Sequence, residues 1–584
     1  MQISKGAEPV NLSFKSRHNA LLLGVILVLL IQLIRIAWID EDAFITFKVV
    51  LNFVAGEGPV WNIGERVQVF THPLWFMLLS IMKLLGFGLI KASIFISVVF
   101  VIIAVVMLLS LNRNTMVNVF LFLVVICSKA FMEYSTSGLE NSLSALLLGV
   151  MCFLTLRNDE MVRNRLFLLT LIMSLVALNR LDLILLGGPA LLYCFFQYGR
   201  SGSGSGGWSK HREIVLLGVV ASLPLFIWHV FSLIYYGYVF PNSYYAKLET
   251  GIPQLELVYQ GIEYFRDSMF ADPVTLLSIA VGLFFMFRSK SNQARAWAVG
   301  VILYLLYILK IGGGYMSGRF FMLPLLVALF GLASTLKFTA LTGAVVVIVV
   351  VILGLVSPTP ILLNDTRSIH YKNGDLGISN ERAVWYSSNG FLAPGLPLRY
   401  TEKLMSAWDV KPVQNVLRLD AVGGMGLVLG TENHVVDVWA IVDPYLSHLP
   451  LAKGMEWHIG HFRRKIPEGY LQSIRTGENH ISDPGLAKLY ENVRLLSRGE
   501  IWSKERWLAI WDMNSGNYRE FTLGYDNVAV PIARDRYASV YKNDYVIKML
   551  KARNSAAWVE LDRLRGGASQ ITRDQNQIEL DLRK

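Results

Sequence analysis

Cysteine is almost missing from these 584 residues: there are three, Cys127, Cys152 and Cys194, each inside an apolar stretch and none after position 194. Without metal-like spacing, three such thiols exclude a disulfide scaffold and a zinc ribbon. Charge is scarce as well, at 17% against 54% hydrophobic residues and a mean hydropathy of +0.46. The first 356 positions are too apolar for a water-soluble domain. Acids are the rarer sign, 43 against 54 basic residues, for a net charge of +11. The excess does not imply nucleic acid, because the Lys and Arg gather in short loops between apolar stretches, the distribution that sets membrane topology. No small-residue cleavage site follows the first apolar run, which predicts an uncleaved first helix.

What is present is a series of apolar windows near the length of about 20 residues that a hydrocarbon core requires. They run over 20–37, 91–111, 115–131, 139–156, 166–178, 183–196, 214–235, 274–287, 296–311, 320–336 and 339–356. A twelfth, Pro73–Leu89, carries Lys83 and begins near Trp75, as an interfacial or half-inserted helix would. Left out of the count, it puts every basic loop on one side, including Arg113, Arg157, Arg212, Arg288 and Lys337. The expected fold is therefore a polytopic α-helical membrane domain, residues 1–356, of about eleven transmembrane helices, with a long first outer loop over 38–90. A soluble extracytoplasmic α/β domain follows over 357–584. There 435–439 and 537–547 alternate like strands, while 501–511 and 556–564 read as helices. The run 201–207, Ser-Gly-Ser-Gly-Ser-Gly-Gly, is a flexible cytoplasmic connector.

The segments that parity places outside carry the chemistry. Asp40-Glu41-Asp42 closes the first apolar stretch, and acids at a bilayer edge are costly. A carboxylate there could take a proton from a hydroxyl nucleophile. Asp42 is the first candidate and Glu41 the second, since Ala43-Phe44-Ile45 can bury them; a helix cap is the competing role. The same loop holds Arg66 and His72 among turn glycines and aromatics. Phe240-Pro-Asn-Ser-Tyr244-Tyr-Ala-Lys247 and Gly312-Gly-Gly-Tyr-Met-Ser-Gly-Arg319 each present a cation at the depth of a lipid phosphate. Snorkelling to headgroups would also explain them, and the second run lacks the GK[ST] ending of a phosphate-binding loop. Ser137-Gly-Leu-Glu140 and Asn179-Arg180-Leu181-Asp182 add an acid at a helix mouth and an intramembrane ion pair. In the tail, His458-Ile-Gly-His461 has no third ligand at metal spacing and reads as structural or acceptor-facing. No metal site and no cofactor is expected.

In this order the motifs resemble the membrane arabinofuranosyltransferases of the GT-C class, both the mycobacterial terminal family and the Gram-negative type IV pilin family. The matching residues are Asp42-Ala-Phe-Ile-Thr, Gly56-x-Gly-x-Val-Trp-Asn-x-Gly-Glu-Arg-Val, Thr71-His-Pro-Leu-Trp, Ser137-Gly-Leu-Glu, Pro241-Asn-Ser-Tyr-Tyr-Ala-Lys and Gly318-Arg-Phe, continuing to Val442-Asp-Pro, Gly460-His-Phe-Arg and Pro467-Glu-Gly-Tyr. The resemblance implies transfer of D-arabinofuranose from a polyprenyl monophosphate donor, outside the cytoplasmic membrane of a bacterium, with an acid after the first span as catalyst. It implies Asp42, with Glu41, as catalytic, and the expected substrate-binding residues are Arg66, His72, Glu140, Arg180, Asp182, Tyr244, Lys247 and Arg319, with Arg319, Lys247 and Arg66 on the lipid phosphate. Glu41 departs from the Asp usual at that place, Leu181 from a Pro, and Gly314 from an Asp. Abundant Lys, Ile, Asn and Phe favour a Gram-negative pilin or envelope glycan as acceptor. A lipid-linked sugar flippase and a non-catalytic envelope assembly protein are the alternatives.

Overall fold

The computed structural model describes residues 12–157, 160–200, 207–364, 366, 377–393, 396–451, 457, 459–522 and 525. Helices dominate, the form in which a backbone satisfies its own hydrogen bonds inside lipid. Helix α1 (Leu12–Ile36) leads to α2 (Ala43–Val54) and α3 (Pro73–Leu84) in the first loop. Next come α4 (Leu89–Ser110), α5 (Thr115–Cys127), α6 (Lys129–Tyr134), α7 (Asn141–Leu156), α8 (Arg163–Asn179), α9 (Ile184–Arg200), α10 (Gly207–Ala221) and α11 (Leu223–Tyr235). Then follow α12 (Asn242–Leu248), α13 (Gln254–Ala271), α14 (Pro273–Arg288), α15 (Asn292–Lys310), α16 (Met322–Thr335) and α17 (Ala340–Val356). Beyond them lie α18 (Glu381–Asn389), α19 (Leu396–Ser406), β1 (Asn415–Leu419), α20 (Gly424–Val428), β2 (Asn433–Asp437), α21 (Tyr470–Thr476), α22 (Pro484–Arg498) and α23 (Lys504–Ser515).

The protein is a multi-pass membrane protein. Among the described residues, Leu89–Ser110, Leu181–Arg200 and Asn292–Lys310 are long and apolar enough to cross a membrane. Two bent pairs raise this to five if each is one span, and seven shorter apolar helices accompany them. The bends have local causes. The stretch expected as one span over 214–235 breaks by 52° between α10 and α11, where Pro224 stands in the first turn. The stretch over 115–131 breaks at Ser128, whose Oγ accepts from the Phe131 N–H at 3.0 Å and starts α6. Helix α3 ends at Leu84, and Gly86 takes φ +88 before α4 begins. Twelve residues make a helix of about 18 Å, well short of the roughly 30 Å of hydrocarbon. Helices α2, α12 and α13 occupy segments expected as loops.

The core is packed closely through small residues, as helix pairs in lipid require. Gly300 of α15 lies so near α9 that an added Cβ would meet the Leu186 carbonyl oxygen. Four tryptophans, Trp38, Trp61, Trp75 and Trp297, are fully buried. Three have a partner for the indole N–H: Trp38 donates to the Glu133 carbonyl at 2.8 Å, Trp75 to that of Gly138 at 3.1 Å and Trp297 to Thr155 Oγ1 at 2.9 Å.

After position 356 the sheet is small. Strands β1 and β2 pair in parallel, from Asn415 opposite Asn433 to Leu419 opposite Asp437. The strand expected at 435–439 is β2, shifted by two residues, and the helix expected at 501–511 is α23. The strand expected at 537–547 and the helix at 556–564 lie outside the described residues. The described tail joins the same compact unit as the membrane helices. Contacts on α2 tie it there: the Lys48 ammonium, 3.6 Å above the Trp61 ring, donates to the carbonyls of Gly426 and Gly430 at 2.9 and 3.1 Å.

Candidate active site

Two charged groups meet where the first loop, the 312–319 turn and the tail converge. The first is built on Glu140, at the start of α7. Its carboxylate accepts from Arg319 Nη2 at 3.0 and 3.3 Å. Arg180 Nη1 lies 3.6 Å and His72 Nδ1 3.5 Å from it. Against the pull of burial, these neighbours, Arg319 first, hold Glu140 down at about 2. Arg180 also makes a two-pronged contact with Asp182, at 3.1 and 2.6 Å, and Tyr304 Oη joins both side chains. His72 receives or donates a hydrogen bond at Thr46 Oγ1, 2.8 Å away, and burial lowers its basicity. Two arginines and two acids thus balance, with a buried imidazole beside them.

Arg319 owes its position to backbone that favours glycine. Gly312, Gly313 and Gly318 all have φ between +70 and +83, and a Cβ on Gly313 would strike the Tyr264 ring. The Arg319 Nε is buried without a hydrogen-bond partner, while Nη1 approaches Met316 Sδ at 3.1 Å.

The second group is the acid triplet. Asp42 precedes α2 at the N-cap position but makes no side-chain cap bond. Its Oδ2 accepts from the Tyr315 hydroxyl at 2.7 Å, and Oδ1 has no hydrogen-bond partner among the described residues. Asp40 is fully buried, accepts from the Asp42 N–H at 3.0 Å, and is pushed well above the usual carboxylate range by burial, then by Asp42 and by Glu381. Glu41 accepts from the Gly424 N–H at 2.9 Å, and burial, then Asp42, push it up to about 8. Glu381, from α18, is raised to about 7 by burial and accepts from the Trp385 indole at 2.9 Å. Burial thus makes Asp40 and Glu41 harder to ionise than an ordinary carboxylate, and within the triplet Asp42 is the acid that the Tyr315 hydroxyl meets.

Arg319 lies within electrostatic reach of both groups, of Glu140 first and then of Asp40 and Asp42. Lys247 of α12 joins them: burial lowers its basicity, Asp42 opposes this and Arg319 reinforces it. The lysine has no hydrogen-bond or ion-pair partner among the described residues. The tail closes the other side. The His461 ring meets Tyr315 edge-on at 4.5 Å and Trp439 at 4.2 Å.

Sequence reasoning singled out Glu41, Asp42, His72, Glu140, Arg180, Asp182, Lys247 and Arg319, and the structure links all of these. Two others have different partners. Arg66 donates to the carbonyls of Gly499 and Leu496, and so fastens the first loop to the end of α22. Tyr244 stacks on Phe240 at 4.7 Å and meets Tyr245 edge-on. Sequence reasoning missed Tyr315, Glu381 and the Gly424 N–H. Tyr315 was visible in the glycine-rich run that drew attention to Arg319, whereas nothing local marks Glu381. His458 lies outside the described residues. Among those residues, no group of three or more His, Cys, Asp or Glu is arranged to hold a metal ion.

No known family profile matches the chain. It is 25% identical over 539 residues to the terminal β-(1→2)-arabinofuranosyltransferase of Mycobacterium tuberculosis, an alignment covering 74% of this chain and 81% of that protein. It is 26% identical over 338 residues to the protein of the same name from Corynebacterium glutamicum, covering 49% of this chain and 46% of that one. Among solved structures it is similar to ArnT from Cupriavidus metallidurans bound to undecaprenyl phosphate, with a TM-score of 0.43, 14% identity, and coverage of 76% of this chain and 84% of that chain.

Proposed function

We propose that this homologue of the terminal arabinofuranosyltransferases is itself a transferase, moving D-arabinofuranose from a polyprenyl monophosphate donor to a hydroxyl outside the cytoplasmic membrane. In this reading residues 1–356 form a GT-C-type domain of about eleven spans, several of them short or broken. The first loop and residues 357–584 face the periplasm, as the one-sided basic loops favour. The observation that carries the proposal is that the 312–319 turn holds both groups, Tyr315 donating to Asp42 at 2.7 Å and Arg319 to Glu140 at 3.0 Å, with Lys247, which has no hydrogen-bond partner among the described residues, in electrostatic reach of Asp42 and Arg319. One base and two fixed cations are what transfer from a lipid phosphate needs.

The acceptor O–H gives its proton to Asp42 Oδ1 while the acceptor oxygen bonds the anomeric carbon. The bond from that carbon to the phosphate oxygen breaks, and its electron pair leaves with the phosphate. Lys247 and Arg319 stabilise the charge that builds there, a contribution worth about 100- to 1,000-fold in rate for a well-placed donor. Tyr315 orients the carboxylate. Glu140, His72, Arg180 and Asp182 hold Arg319 in place and line the donor side.

Both relatives are named for terminal β-(1→2)-arabinofuranosyl transfer. That favours a sugar hydroxyl of an envelope glycan over the pilin that composition suggested. A single displacement on a β-linked donor gives an α product. The relatives' names favour a second route, in which Asp42 first attacks the anomeric carbon and two inversions restore β. The anomeric configuration of the product, read by NMR, separates the two routes.

Purified protein in a bilayer, given radiolabelled polyprenyl-phosphate arabinofuranose and candidate acceptors, is expected to produce labelled acceptor that Asp42→Asn does not. Movement of label across the bilayer without transfer would mean a flippase. Neither movement nor transfer would mean an assembly protein.

A further inference from the structure

Helix α23 carries an apolar stripe that nothing covers among the described residues. Arg506, Ala509, Ile510 and Met513 are its buried face. On the other side Leu508 is 57% exposed and Trp511 70%, and just before the helix Trp502 is 69% exposed. Trp502 stacks on Trp507 of the helix at 6.3 Å. Exposed Lys504 shares this side. Large aromatic residues grouped in this way on a surface mark a binding face.

The attachment of α23 indicates what it binds. Arg506 Nη2 donates to the Tyr235 carbonyl at 3.0 Å and Asn514 Nδ2 to that of Gly237 at 2.8 Å, so the helix is fastened to the carboxyl end of α11. Helix α11 exposes Phe226 at 63% and Ile227 at 61%, with Val230 and Phe231 beyond them, as a lipid-facing surface does. Phe231 stacks on Tyr235 at 5.2 Å, where the apolar helix ends. Tyrosine and tryptophan gather at that level of a membrane because an apolar ring with one polar atom suits the headgroup boundary, and lysine beside them reaches lipid phosphates.

We propose that α23 is an interfacial anchor, with Trp502, Leu508 and Trp511 embedded in the headgroup layer of the bilayer leaflet where α11 ends. The tail thereby touches lipid directly and is held at a fixed height over the membrane. The proposal goes beyond sugar transfer and depends only on α11 crossing the bilayer, so either can fail without the other.

The test uses the full chain in nanodiscs of phosphatidylethanolamine and phosphatidylglycerol. Nitroxide labels are attached at Leu508→Cys and Trp511→Cys, with Phe226→Cys as lipid reference and Arg519→Cys as water reference. The native Cys127, Cys152 and Cys194 are buried and leave the background low. Labels at 508 and 511 are expected to collide with oxygen more than with a water-soluble nickel chelate, as at 226. Labels that follow 519 would overturn the proposal, and so would labels shielded from both reagents, which would mean that protein covers the face. Hydroxyl-radical footprinting of the unsubstituted chain in the same nanodiscs is independent of any variant. Trp502 and Trp511 are expected to be protected relative to the free peptide, and oxidation at the peptide's rate would refute the anchor.

Discussion

The Glu140 group and the acid triplet lie side by side and follow opposite electrostatic rules. Around Glu140 each charge has a partner, and the carboxylate is held ionised at about 2. In the triplet there are more acids than cations, so burial makes Asp40 and Glu41 harder to ionise, with Glu41 raised to about 8. The balanced group can be rigid at no cost in reactivity. The unbalanced one leaves carboxylate oxygens, Asp40 Oδ2 and Asp42 Oδ1 among them, without a hydrogen-bond partner among the described residues, and Asp42 lies within electrostatic reach of Lys247.

Substitutions can break this contrast. The largest effect is expected for Asp42→Asn, which should lower transfer by about 100- to 10,000-fold if it acts as a general base, with donor binding retained in a lipid-binding assay. Next is Glu140→Gln, expected to cost about 3–5 kcal/mol of stability by removing the one ion-pair partner that Arg319 has among the described residues, read as a drop in thermal unfolding temperature. Lys247→Met should lower turnover by about 100-fold or more while leaving that temperature unchanged. Tyr315→Phe should have a smaller effect, a fall in turnover with donor binding retained, because the lost hydrogen bond orients the Asp42 carboxylate; an unchanged turnover would remove Tyr315 from the mechanism.

The pH dependence of stability sharpens the same comparison. Glu140 is depressed in the folded state, so its contribution is present above 4.5 and lost as pH falls toward 2. Glu41 is raised, so its contribution is present below 4.5 and lost as pH rises toward 8. Glu41→Gln is expected to flatten the decline between pH 4.5 and 8 and leave the acid limb intact, as followed by unfolding in detergent.

Much of this site was legible because its charges stand in short motifs next to apolar runs, where any charge is conspicuous. Glu140, Arg180 and Arg319 are of this kind. The partners were hidden by distance along the chain: Tyr315 meets Asp42 across 273 positions and Gly424 meets Glu41 across 383. Arg66 illustrates the reverse error, a motif residue whose guanidinium serves backbone carbonyls 430 and 433 positions away. In the fold, long apolar windows were easy to place. Helix α2 was missed because its twelve residues are too few to cross a membrane, and α13 because its apolar pattern is interrupted by charge.

The bond from Gly424 to Glu41 also sets a timetable. At roughly 5–20 residues per second, the ribosome needs about 20 to 80 seconds to travel the 383 positions between them. Throughout that interval the newly inserted helices display the triplet without the backbone amide that helps hold it. A nascent chain therefore holds Glu41 without this partner until Gly424, 383 positions later, has been added and folded against it.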